Sequence, residues 1–221
     1  MNKIKFKIKE VKPRIFLAEF EDIYDMCMTF MRYQEFYESP NPKFRNKPFE
    51  IFDFMKWYSH SQGRGGFSYA ADWVGFNIPS KIIDKCLWNV NTTLDYDRNL
   101  YDDVMEDIQF ACITKTNLEG DDFYLIGALK GNERTIQHEV AHGMFYLVPE
   151  YKKEMMALLK KLKPKFRDQL YKDLQKVGYT KHVLPDEAQA FLSTGWREYF
   201  PELHGEDAPF IKVFDKHYKG K

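Results

Sequence analysis

The stretch 134-RTIQHEVAHGMFYL-147 carries two histidines four positions apart, with a glutamate directly after the first. On a helix, residues at that spacing sit one turn apart on nearly the same face, about 6 Å along the axis. His138 and His142 can therefore aim both imidazoles at one ion, each about 2.0–2.1 Å from a zinc. Glu139 lies about 100° further round the helix, too far to join them as a ligand but within reach of a water at the ion. The flanks suit a buried helix: Ile136, Val140, Ala141 and Met144 carry no charge and no proline interrupts the run. A histidine pair alone is more often a packing feature, and the glutamate with its apolar flanks is what turns the reading toward metal.

A catalytic zinc site takes three protein ligands and keeps a fourth position for water. A continuation H-E-x-x-H-x-x-G-x-x-H would require glycine at 145 and histidine at 148, but Phe145 and Val148 stand there. An acidic residue from a later helix is the remaining common solution. The segment 184-LPDEAQAFL-192 offers Asp186 and Glu187 at a helix start, followed by Ala188 and Ala190, small enough for two helices to approach closely. Glu187 is the expected ligand, because a glutamate reaches farther from its backbone. Asp186 is left either to cap the helix or to hold a ligand imidazole from behind. Acidic residues favour any helix N-terminus, so this second motif is permissive by itself.

With these residues in place, the chain resembles the gluzincin group of zinc metallopeptidases, in particular its small, reduced members. The likeness covers about residues 123–195. It implies a Zn2+ cofactor held by His138, His142 and Glu187, Glu139 as general base, and a peptide or protein as substrate. It also implies a tyrosine or histidine that stabilises the oxyanion; Tyr179 and His182 precede the Glu187 helix, and Tyr199 and His204 follow it. Larger gluzincins often place an aspartate four residues after the ligand glutamate to orient a histidine. Here that position is Phe191, so the role must move or be absent. Such enzymes usually carry an edge strand beside the active-site helix, and 123-FYLIGAL-129 is the candidate, with an ordinary internal strand as the alternative. A catalytically inactive zinc-bearing binding module of the same fold is the competing function. A metal-free interaction protein built on the aromatic segments 32–45 and 67–80 is the other.

The elements that must position these groups can be read along the chain. Ile4, Phe6 and Ile8 alternate with lysines as in a half-exposed strand, Pro13 breaks it, and residues 14–20 form a second extended piece. Helices are expected over 21–38, 49–60 and 99–110, with a loop over 39–48. The glycine-rich aromatic stretch 62–80 shows no clear period and matches neither GxxxxGK[ST] nor GxGxxG. Segments 111-ACITKT-116 and 123–129 are expected as two strands joined by a glycine-bearing loop over 117–122. Pro149, Pro164 and Pro185 each suit a first helical position, with Gly178 and Gly195 as stops, and a last helix runs near 208–218. The expected fold is α+β, a small, mostly antiparallel sheet packed against several helices with the H-E-x-x-H helix central. A boundary near residue 95 would separate an amino-terminal extension, 1–95, from a zincin-like region, 96–221.

At 221 residues the chain can bury a core without a staple, and its formal net charge is zero. That neutrality supplies no electrostatic argument for nucleic acid or an acidic membrane. Three scattered cysteines, Cys27, Cys86 and Cys112, form no CxxC pair. They suggest a reducing, cytoplasmic setting, and no window has the apolar length of a membrane span.

Overall fold

The computed structural model describes residues 4–61, 65–87, 97–116, 122–195 and 205–219. The chain divides into two compact units, residues 1–132 and 133–221. The sequence offers a boundary near 95; the residues between 97 and 132 fold with the first unit because they supply a helix and an interior strand to it.

Among its described residues the first unit has a four-stranded mixed sheet and five helices. Its strands are β1 (Phe6–Lys12), β2 (Ile15–Phe20), β3 (Gly75–Pro79) and β4 (Tyr124–Leu129), in the order β1-β2-β4-β3. Two of the pairings are antiparallel, β1 with β2 and β3 with β4, while β2 runs parallel to β4. The helices are α1 (Ile23–Glu38), α2 (Ile51–Ser61), α3 (Tyr69–Asp72), α4 (Ser80–Leu87) and α5 (Leu100–Thr116). This is the expected α+β class. Asp22 starts α1: its Oδ1 accepts from the backbone N–H of Tyr24 at 2.8 Å and of Asp25 at 3.0 Å. Such a cap contributes about 1 kcal/mol.

One open alternative is decided and two local readings change. β4 has neighbours on both sides, so 123–129 is an internal strand rather than an edge. Residues 111–116 continue α5 instead of forming a strand. Met105, Ile108 and Cys112 recur at helical spacing and are all fully buried, so this packing overrides the β-branched residues of ITKT. The expected loop 117–122 lies almost wholly outside the described residues. Finally, the aperiodic stretch contains β3, an edge strand ending in Pro79, which cannot donate to a ladder.

Aromatic rings fill the space between the sheet and α1. Phe30 stacks on Phe76 at 5.2 Å between centroids and meets Phe20 edge-on at 6.2 Å. Gly127 of β4 lies directly under Phe30, where a Cβ would come within 2.6 Å of the ring. The aromatic segments that suggested an interaction surface instead contribute Tyr33, Phe36, Phe44, Tyr69 and Phe76 to this core. Arg32, 4 % exposed, is held by two nitrogens on Asp102, by Asp97 and by the carbonyl of Phe49.

The regular elements among the second unit's described residues are all helices: α6 (Glu133–Leu147), α7 (Pro149–Lys161), α8 (Pro164–Lys176), α9 (Leu184–Thr194) and α10 (Ala208–Lys219). α9 packs against all four others, most extensively against α6, so these two make the central pair. Prolines 149, 164 and 185 sit in first turns as expected. Gly195 ends α9 in the left-handed region at φ 67°, which favours glycine. No helix among the described residues is long and apolar enough to cross a membrane.

Candidate metal centre

From Thr135 to Phe145 α6 is buried almost all round, and its charged residues outside the site, Glu133 and Arg134, stand in the first turn ahead of that stretch. His138, Glu139 and His142 are 6 %, 5 % and 2 % exposed. The two imidazoles stand nearly perpendicular, with centroids 5.0 Å apart. α9 meets this face with Ala188 and Ala190, both fully buried, and between them in pitch it brings Glu187, 4 % exposed. One ligand atom each from His138, His142 and Glu187 falls within 4.8 Å of the others, the one such group among the described residues. His142 Nε2 lies 3.7 Å from Glu187 Oε2. Two ligands of one tetrahedral zinc stand about 3.4 Å apart, given bonds of about 2.0–2.2 Å. The donor set and spacing therefore fit such an ion after shifts of about an ångström.

Each imidazole is held from behind by a different group. His142 Nδ1 donates to Asp186 Oδ1 at 2.9 Å. His138 Nδ1 faces Thr194 Oγ1 at 3.3 Å, and that hydroxyl donates onward to the Ala190 carbonyl at 2.7 Å. Both arrangements leave the Nε2 lone pair for an ion. Asp186 thus takes the holding role left open in the sequence. Phe191, where an aspartate was looked for, instead sets its ring edge-on against His138 at 4.7 Å.

The charges are unequal. Burial, then repulsion from His142 and Arg134, pushes the proton affinity of His138 well below that of an ordinary imidazole. Burial opposes the charged form of His142 too, but Asp186, Glu187 and Glu139 together outweigh it and raise its affinity well above the usual value. Three carboxylates around one imidazole favour positive charge, which a divalent cation could supply in place of the proton.

The oxyanion candidates are placed differently. Tyr179 is half-buried, with its ring edge-on to Phe191 at 6.3 Å, the same ring that meets His138. His182 is exposed in the turn before α9, with Nδ1 3.0 Å from Thr180 Oγ1, and is not gathered with the cluster. Tyr199 and His204 lie outside the described residues. His60 is exposed and bonds its own helix, and His217 pairs with Glu154. Sequence reasoning missed Thr194, Gln189 and Tyr151. A signal existed for Thr194: Glu187, Ala190, Phe191 and Thr194 share one helical stripe, and its polar members flank the ion position.

Comparisons of the chain with protein-family models, with curated proteins and with solved structures return no match. The reading of this site therefore stands on its own geometry.

Proposed function

We propose that the chain is a zinc-dependent hydrolase whose reaction class is cleavage of a peptide bond, in the manner of the gluzincins it resembles. The observation that supports this most is the convergence of His138, His142 and Glu187, each buried, from two helices onto one locus. Glu139 adds to it: a purely structural metal site has no use for a buried carboxylate beside its ligands. When bound, zinc would supply Lewis acidity and a water acidic enough to react near neutral pH.

The chain's own residues divide the remaining work. Asp186 and Thr194 hold the two imidazoles with Nε2 presented. Glu139 takes a proton from the attacking water and delivers it to the leaving amine nitrogen as the C–N bond breaks and the C–O bond forms. Three reduced, buried cysteines are in keeping with a cytoplasmic setting.

The second reading is a zinc-bearing binding module without turnover. What favours it is the placement of the oxyanion candidates, Tyr179 against Phe191 and His182 on the surface. Two measurements on untagged protein separate the readings. Elemental analysis should return about one zinc per chain, and digestion of a peptide library should be lost with chelator. Glu139→Gln should keep the zinc and lose the digestion. Zinc without digestion supports the binding module; no zinc after incubation with excess metal refutes both.

A further inference from the structure

Behind His142, a line of buried polar groups runs from α9 to α7. Asp186 Oδ1 receives two donors, His142 Nδ1 at 2.9 Å and Gln189 Nε2 at 3.0 Å. The same Gln189 nitrogen reaches the carbonyl of Ala141, the residue before His142, at 3.3 Å. Gln189 Oε1 accepts from the Tyr151 hydroxyl at 2.8 Å, and Ser193 Oγ lies 3.4 Å from that hydroxyl. Tyr151 and Gln189 are both fully buried.

The polarity of this line is forced. Turning the Gln189 amide over would set its oxygen against Ala141 O and Asp186 Oδ1, leaving acceptors facing acceptors. Tyr151 must therefore donate, and burial raises its hydroxyl far above the ordinary phenol range, so it remains a donor. With Gln189 fixed on both ends, Asp186 Oδ1 is pinned between two N–H groups. Burying this amide costs desolvation that a methionine of similar volume would avoid.

We propose that Tyr151 and Gln189 are positioning residues that clamp Asp186, keeping His142 an Nε2 ligand, so that metal affinity is set partly from α7, a helix that supplies no ligand. This rests on the zinc reading above. α7 thereby acts on the ion through three hydrogen bonds in line, Tyr151 to Gln189, Gln189 to Asp186 and His142 to Asp186, rather than by touching it.

The test uses the full chain with Gln189→Met and Tyr151→Phe. Zinc affinity is measured by chelator competition, and the hydrogen-bonded His142 Nδ1–H proton is followed by NMR with and without zinc. Gln189→Met removes a hydrogen bond to the charged Asp186 and should weaken zinc about 10–100-fold. Tyr151→Phe removes one neutral hydrogen bond a step further away and should cost about 3–10-fold. In both variants the Nδ1–H signal should shift or broaden. Unchanged affinity with an unchanged Nδ1–H signal, alongside a lowered melting temperature, would assign the pair to core packing and overturn the inference. Should Gln189→Met fail to fold, Tyr151→Phe, lacking a single oxygen, decides alone. If the parent chain takes no zinc, the metal reading falls, and the Nδ1–H signal in metal-free protein still judges the clamp.

Discussion

Asp186 Oδ1 lies 2.9 Å from His142 Nδ1, and that bond leaves Nε2 as the ring nitrogen facing Glu187. The carboxylate adjoins Glu187 in sequence, yet the two point to different duties because successive helical residues diverge by about 100°. Glu187 joins the cluster with His138 and His142, and its neighbour Asp186 meets the back of the His142 ring.

Replacing Asp186 by alanine should therefore lower zinc affinity by about 10–100-fold while the fold persists. Its side chain is 30 % exposed, so little core is lost. Chelator competition gives the affinity, and circular dichroism the fold. Unaltered affinity would show that His142 is oriented by something else.

The Arg32 network makes a separate prediction about stability. The guanidinium grips Asp102 through Nε at 3.0 Å and Nη2 at 3.2 Å and reaches Asp97 at 3.1 Å. Asp97 in turn accepts the Ile51 N–H at the start of α2. Arg32→Ala leaves Asp102, 2 % exposed, without its cation. Breaking a buried pair from one side costs about 3–5 kcal/mol. Urea unfolding should show that loss, and a change below about 1 kcal/mol would mean the pair is offset by its own desolvation.

Glu35 should give the first unit a pH dependence. Burial raises its carboxyl from 4.5 to about 7, against the opposing hydrogen bonds from Ser39 and Tyr69. The folded chain then binds this proton more tightly than the unfolded one, so stability falls as pH rises from 4.5 to about 7. The contribution is complete below that window and absent above it, a span of about 3 kcal/mol. Glu35→Gln should remove this component and be the more stable form at pH near 9. Parallel stability curves for the two proteins across the window would contradict the assignment.

Gly127 answers to Phe30. An alanine Cβ would meet the ring at 2.6 Å, and Phe30 is also stacked on Phe76 at 5.2 Å. Gly127→Ala should cost about 1–3 kcal/mol by overpacking. Adding Phe30→Leu should recover part of that loss, and strict additivity in the double-mutant cycle would show the two sites are uncoupled.

Much of this was legible along the chain because it is local. The H-E-x-x-H spacing, the acidic pair after Pro185, the proline starts and the Gly195 stop each depend on bonds within a turn or two. Period-two alternation likewise located β1, and a periodic apolar face located α1. The α+β class follows from those pieces, since each needs a partner for one buried face.

Other features depend on residues far apart in sequence, and no window contains them. That 111–116 is helical was decided by the core receiving Cys112, and that β4 is interior by β3 arriving from a stretch with no period of its own. The glycine in LIGAL has meaning only once Phe30 stands over it. Asp186, rather than position 191, holds an imidazole because α6 and α9 cross where its carboxylate meets Nδ1. Tyr151 joins through a helix carrying no motif. Local patterns record what a segment can become; which side chains meet is set by packing, where one crossing of two helices selects among donors that the sequence leaves equivalent.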